Sequence, residues 1–348
     1  MDRVIAIGGS AGSIEAIKEL CGSLPADIPA AICIVVHVGA RGHNLMAGIF
    51  GAKCAIPVTT ASDGQKLAHG RIYVAAADHH LLVMDDTIRL GRGPRENLAR
   101  PAIDPMLRSA GLSYGSRAIG VVLTGMLNDG ASGLADLKRC GGVTVVQSPI
   151  EAREREMPLA ALAASDVDYQ TPIGELGALL KTLTSEPRDR SPAPPDDIRL
   201  EVDIALGRPA GADLMSELAQ PVALSCPDCG GVLSQMRRGP PLRFRCQVGH
   251  GYTAESLATQ QEDSVDEAMR VALRIVEERA TLTKKMADEA RRGGLRLSAD
   301  SYESTSRQSR RHVETLREAL RNGERTGAAP QGEEAKPPVL APSLRADA

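Results

Sequence analysis

The chain has 348 residues and a formal net charge of −3, with no Trp, two Phe and five Tyr. So few rings argue against a base-stacking platform, and near-neutral charge argues against a broad polyanion-binding surface, so nucleic acid is not expected as a partner. The length suits about two domains of roughly 150 residues.

The N-terminus carries only four consecutive apolar residues, Val4–Ile7, too short for the apolar region of a signal peptide. The longest apolar run of the strand-like part, Ala30–Val36, falls far short of the ~20 residues needed to cross a bilayer. A cytoplasmic location without membrane insertion is the expectation. Val4–Ile7, Ala31–Val36, Arg71–Ala75, Leu81–Met84, Ile119–Leu123 and Val143–Gln147 read as strands, several of them apolar on both faces. They alternate with helix patterns at Ser13–Cys21, Pro105–Ser113, Ala131–Arg139 and Leu159–Ala164. Residues 1–185 therefore read as an α/β domain, a doubly wound, mostly parallel sheet with helices on both faces. Leu81–Met84 and Thr87–Leu90 flank Asp85-Asp86 as a hairpin at an edge.

Residues 186–220 read as a Pro-rich linker, semi-rigid over EPRDRSPAPPDD at 186–197. Residues 221–253 form a short Cys-containing module. Residues 254–322 read as a helical hairpin or coiled coil, with Val265, Met269, Ala272, Val276 and Ala280 on one stripe. Gly293-Gly294 breaks it, and a second helix covers Ser301–Arg321. These helices would pair with each other or self-associate. The tail 323–348, rich in Pro, Ala and charge, reads as disordered.

The first strand ends in Gly8-Gly9-Ser10-Ala11-Gly12-Ser13. Three readings stand: a phosphate-cradling loop, a nucleophile turn of the form G-x-S-x-G, or a plain turn capped by Ser10. The glycine spacing departs from G-x-G-x-x-G, and the second strand ends in His37 where a ribose-binding acid would stand. Both departures weigh against a nucleotide-binding domain. In the nucleophile reading the turn pushes the Ser10 hydroxyl out at the carboxyl edge of the sheet. His37, after the second strand, and Asp129, in Leu123–Gly130 after a later one, reach the same edge if the strands are parallel. A base is what a serine hydroxyl needs, and a carboxylate can fix the tautomer of that base. The order Ser, His, Asp differs from the Ser, Asp, His of α/β-hydrolases.

The segments IAIGGSAGSIEAI at 5–17, VVHVGARG at 35–42, GRIYVAAADHHLLV at 70–83, RPAIDPML at 100–107 and VVLTGMLNDGASGL at 121–134 together resemble the chemotaxis protein-glutamate methylesterases, the CheB family. The resemblance spans about residues 3–184. It implies Ser10 as nucleophile, His37 as general base and acid, Asp129 as the residue orienting His37, and the Met126 N–H as an oxyanion donor. It also implies hydrolysis of glutamyl methyl esters on methyl-accepting chemotaxis receptors, with methanol leaving, deamidation of receptor glutamines in some members, and no cofactor for catalysis. The expected partners are helical cytoplasmic receptor domains. Leu127 stands where a Gly is expected, and Ser13 where Gly is frequent. The resemblance starts at residue 3, so the N-terminal receiver domain of the familiar enzyme is expected to be absent and control to be different. Arg41 and His43 are candidates to meet an acidic receptor helix, Arg100 and Asp104 read as a helix-start pair, and His79-His80 reads as a surface turn. The alternative to an enzyme is a scaffold that binds receptors without turnover.

Cys226-x2-Cys229 is followed by Cys246-x3-His250. Three thiolates and an imidazole at this spacing make a closed structural zinc site; reduced, unligated residues or a redox Cys pair are the other readings. Arg237, Arg238, Arg243 and Arg245 of the module read as solvated charge, or as a surface for an acidic partner or nucleic acid. Cys21, Cys33, Cys54 and Cys140 read as reduced core or half-buried thiols.

Overall fold

A computed structural model describes residues 2–37, 45–187, 191–208, 216 and 218–326. The chain divides into two compact units, 1–260 and 261–348.

In the first unit seven strands form one parallel sheet: β1 (Val4–Gly9), β2 (Ala31–Val36), β3 (Val58–Thr60), β4 (Arg71–Val74), β7 (Ala118–Val122), β8 (Val143–Gln147) and β9 (Tyr169–Thr171). Their order is β3-β4-β2-β1-β7-β8-β9, with every pairing parallel. β1 lies at the switch point: the chain winds toward β2 on one side and toward β7 on the other. At such a point the carboxyl ends of the strands open a crevice.

Side chains of β1 alternate between the two faces. Ile5 and Ile7 point to a core completed by α1 (Ser13–Ser23), α2 (Met46–Gly51) and α6 (Ile173–Ser185), where Ile17, Leu20, Phe50, Leu176 and Leu180 are buried. Val4 and Ala6 point to the opposite core, with Leu107, Leu134, Leu137 and Met157 from α3 (Ile103–Tyr114), α4 (Ala131–Arg139) and α5 (Glu156–Ala164). Both faces are covered, as the doubly apolar strands require. The sheet admits α3 closely because β1 carries Gly8: a Cβ there would lie 2.1 Å from Ile103 Cγ2.

Several expectations shift. The hairpin β5 (His80–Met84) and β6 (Thr87–Gly91) is a separate antiparallel pair rather than an edge of the main sheet. Asp85 and Asp86 turn it at φ 46° and 59°. His80 is no surface residue: it is fully buried, with Nε2 2.9 Å from the Pro94 carbonyl oxygen. The short elements β3, β9 and α2 and the helix α6 escaped the sequence reading. The stretch 186–220, expected as linker, carries helix α7 (Asp196–Ala205). Ile198, Val202 and Ala205 recur at helical spacing and are buried, Val202 and Ala205 clustering with Leu82. The Pro and charge density before Asp197 masked this apolar face. Cys21, Cys33 and Cys140 are buried free thiols and Cys54 a half-buried one; burial pushes Cys33 up to about 12.

The Cys module is a four-stranded antiparallel sheet of β10 (Ala219–Ser225), β11 (Val232–Met236), β12 (Arg243–Cys246) and β13 (Gly251–Thr253). Arg243 and Arg245, expected as solvated charge, are buried here. Arg245 pairs with Glu96 at 3.1 Å and Glu201 at 2.9 Å, and Arg243 with Glu201 at 2.9 Å. Arg108 on α3 closes the group, meeting Glu96, Glu201 and Asp136 at 3.0–3.2 Å. Desolvation would raise Glu201, but Arg108, Arg243 and Arg245 hold it far below the usual carboxylate range.

The second unit is a helical hairpin. α8 (Ala254–Arg292), whose first turns lie in the first unit, and α9 (Arg296–Thr326) are joined at Gly294, φ 75°. They run antiparallel, with Glu277 facing Arg317 and Lys284 facing Glu303. Ala280, Ala287, Ser306 and Val313 are buried, whereas Val265 of the expected stripe is exposed. Among the described residues no helix is long and apolar enough to cross a membrane.

If α7 is a packed helix, Val202→Ala lowers unfolding free energy by about 1–2 kcal/mol in urea titration. A change within about 0.5 kcal/mol, as for a surface residue, would contradict its burial.

Candidate active site

Ser10, His37 and Asp129 each follow the carboxyl end of a strand: β1, β2 and β7. The Ser10 N–H donates to Thr124 O at 3.0 Å, tying the turn after β1 to the end of β7. The close approach depends on Gly125, where a Cβ would lie 2.8 Å from Ser10 Cβ and 2.0 Å from Met157 Sδ. His37 Nδ1 stands 3.1 Å from Ser10 Oγ, and His37 Nε2 stands 2.7 Å from Asp129 Oδ2. One imidazole thus spans hydroxyl and carboxylate. A carboxylate only accepts, so the proton sits on Nε2 and the Nδ1 lone pair faces the hydroxyl. The two ring nitrogens exchange the parts they play in the serine-protease template.

Asp129 is almost wholly buried. Besides His37, Oδ2 accepts the Ile103 N–H at 2.6 Å. Oδ1 accepts the Asn97 amide at 3.0 Å, the Asp104 N–H at 3.2 Å and its neighbour Gly130 N–H at 3.0 Å. Two of these donors are the first N–H groups of α3, a helix end that favours an anion. Burial alone would push the Asp129 carboxyl up. The bond and charge of His37, the Ile103 N–H and the Asn97 amide outweigh it and hold the group below its usual range. Asp104 moves the other way, to about 8, through desolvation and repulsion from Asp129. Negative charge is therefore concentrated on Asp129, the carboxylate that faces the imidazole.

A cavity of ≈ 430 Å³ opens over Ser10 and His37, bounded by Arg95, Leu98, Met126 and Leu127. The N–H groups of Met126 and Ala11 have no protein acceptor among the described residues. The next N–H, that of Leu127, donates to Glu156 at 2.6 Å. Leu127 adopts φ +60°, the left-handed backbone for which Gly is the natural occupant, so the departure noted in the sequence falls where a side chain is strained. Arg95 is exposed and makes no ion pair among the described residues.

The remaining expectations resolve unevenly. Arg100 pairs with Asp78 at 2.7 Å, not with Asp104, so these two are no helix-start pair. Asp104 does open α3, accepting the Gly130 and Gly133 N–H groups at 2.9 and 2.6 Å. Arg41 and His43 lie outside the described residues. Cys226, Cys229, Cys246 and His250 converge, with one donor atom of each within 4.8 Å of the others. Sequence reasoning missed Asn97, which sits three residues before the RPAIDPML segment. No periodicity marks it; its importance lies in a contact across the fold.

A sequence model of the CheB methylesterase family matches residues 5–180. A Leptospira interrogans protein provisionally named protein-glutamate methylesterase/protein-glutamine glutaminase is 38% identical over 178 residues, 51% of this chain and 92% of its own length. The protein-glutamate methylesterase/protein-glutamine glutaminase of Hydrogenovibrio crunogenus is also 38% identical, over 50% of this chain and 47% of its own. The crystal structure of the Thermotoga maritima CheB methylesterase catalytic domain superposes with a TM-score of 0.51 at 27% identity, covering 53% of this chain and 99% of that one.

Because the Gly125 contact sets the Ser10 position, Gly125→Ala forces Met157 and Ser10 apart. Urea unfolding should register a loss of about 1–3 kcal/mol. An unchanged midpoint would show that the turn has room this geometry denies.

Proposed function

This chain belongs to the CheB methylesterase family, and from that premise we propose that it hydrolyses glutamyl methyl esters on chemoreceptor-like proteins with Ser10, His37 and Asp129 as its triad. The observation that carries the reading is the single imidazole of His37 between Ser10 Oγ at 3.1 Å and Asp129 Oδ2 at 2.7 Å.

Ser10 Oγ attacks the ester carbonyl carbon while its proton passes to His37 Nδ1. The carbonyl π-bond electrons move to oxygen, and the oxyanion takes the N–H groups of Met126 and Ala11, both without a protein acceptor among the described residues. The carbonyl re-forms, the bond to methoxy oxygen breaks, and the His37 proton leaves with it as methanol. Water repeats the sequence on the acyl-Ser10 ester: His37 takes its proton, glutamate is released and Ser10 regains its hydrogen. Asp129, held anionic by its donors, keeps Nε2 protonated and balances the imidazolium. A glutamine side chain would follow the same path with ammonia leaving, which accommodates the glutaminase activity named for the relatives.

The ≈ 430 Å³ cavity admits one glutamyl ester side chain, and Arg95 at its rim suits an acidic peptide. The helical cytoplasmic domain of a receptor, met in the cytoplasm, is the proposed substrate.

Ser10→Ala should reduce methanol release from a methylated receptor domain by about 10³-fold or more and abolish labelling by a fluorophosphonate probe, with the circular dichroism spectrum unchanged. Release near the wild-type rate would remove Ser10 from its role. Absence of probe labelling in the wild type would point to the non-catalytic scaffold.

A further inference from the structure

We propose that Cys226, Cys229, Cys246 and His250 hold one zinc ion, and that this ion fixes the strand which orients Asn97 and, through Asn97, the Asp129 carboxylate. The proposal rests on the reading of Asp129 as the group that orients His37.

The donor set fits the metal. Zn–S bonds of about 2.3 Å and Zn–N bonds of about 2.0 Å place tetrahedral neighbours roughly 3.8 Å apart for two sulfurs and ~3.5 Å for sulfur and nitrogen. The Sγ atoms of Cys229 and Cys246 are 3.7 Å apart, and His250 Nδ1 lies 3.5 Å from Cys246 Sγ and 3.7 Å from Cys226 Sγ. Four protein ligands fill a tetrahedron and leave no position for substrate, so the ion's part is structural. The small core it would secure holds Leu233, Phe244, Tyr252 and Leu257. A module of this size gains much of its folding free energy from the metal.

Its position is what matters for catalysis. Cys246 ends β12 and His250 immediately precedes β13, so two ligands clamp both ends of the turn between these strands. Gly251, next after His250, receives the Asn97 N–H at 2.9 Å and donates its own N–H to Arg95 O at 3.1 Å. Two residues on, the Thr253 N–H donates to Asn97 Oδ1 at 3.0 Å. A backbone N–H can only donate, so the Asn97 oxygen must face Thr253. Its NH2 group is thereby turned onto Asp129 Oδ1 and Asp104 Oδ2, both at 3.0 Å. The amide has no idle atom. Asn97 and Leu98 adopt φ 49° and 68°, a left-handed pair of non-glycine residues. Such a conformation persists only where its surroundings enforce it, and here the enforcing contact is Gly251. Thr253 Oγ1 also donates to Asn128 Oδ1 at 2.6 Å, next to Asp129 itself. Loss of the metal would free β13, let the Asn97 amide turn, and leave Asp129 short of one donor.

The test uses the full chain. Elemental analysis should find one zinc per purified wild-type chain and almost none in Cys246→Ser. Chelator stripping should speed hydrogen exchange in a peptide spanning residues 95–99, whose Asn97 N–H is bonded to Gly251, and lower kcat about tenfold to hundredfold with KM unchanged. Asn97→Gly tolerates the left-handed backbone. It should keep its zinc and its circular dichroism spectrum, unfold at a somewhat lower temperature because three buried hydrogen bonds are lost, show the same fall in kcat, and lose little more when stripped. Zinc-free wild type, or stripping that leaves exchange at 95–99 unchanged, would overturn the proposal. So would equal losses on stripping wild type and Asn97→Gly. A wild type that binds zinc and shows metal-dependent exchange, yet is not labelled at Ser10 by a fluorophosphonate, would instead sink the triad reading while leaving the metal clamp standing.

Discussion

Everything at this site is organised around one buried charge. A carboxylate taken from water costs several kcal/mol unless donors replace its hydration. Asp129 finds them in His37, the Ile103 and Asp104 N–H groups at the start of α3, its neighbour Gly130 and the Asn97 amide. Each donor belongs to an element that the sheet positions. α3 reaches Asp129 because β1 has no side chain at Gly8, and His37 reaches it because β2 lies beside β1 at the switch point. The second carboxyl nearby, Asp104, is pushed up to about 8 and yields the charge to Asp129. Separation of two neighbouring titrations in this way is how a site assigns roles to like groups.

The same logic ties the catalytic sheet to the segments C-terminal to it. Arg108, Arg243 and Arg245 face Glu96, Glu201 and Asp136, and these groups come from α3, the loop at Glu96, α4, α7 and β12. Three positive groups against three negative ones are tolerable in a dry interior only together; removal of one strands the others. The cluster therefore fixes the Cys module beside the loop 95–99, which borders the cavity over Ser10 and His37. Helix α7 and the Cys module, both C-terminal to the region matched by the family, thus brace the wall around its chemistry.

The sheet and the convergence of Ser10, His37 and Asp129 at one edge of it were legible because their signals are local. Ala31–Val36 is an uninterrupted apolar run and Val143–Gln147 is rich in Val, and the strand limits coincide with both. Ser10, His37 and Asp129 each sit just past such a run, so a parallel sheet brings them to one edge. The Cys and His spacing likewise announced the cluster that the fold assembles. Helix α7 was hidden by the prolines that precede it. Arg243 and Arg245 were misread because a charge looks solvated until its partners, 42 and 44 residues away at Glu201, are brought against it. Asn97 was invisible for the same reason: its partner Thr253 is 156 residues distant. Pairings of that range carry no periodicity and no motif.

The central claim is that the Asp129 carboxylate fixes the tautomer of His37. Asp129→Asn keeps the shape of the side chain and presents an amide hydrogen where a lone pair stood. The measurement is kcat for methanol release from a methylated receptor domain by this variant, with folding checked by circular dichroism. A fall of about 10⁴-fold is expected, the size of effect seen when the base is held in the wrong tautomer. A folded variant turning over within tenfold of wild type would contradict the account.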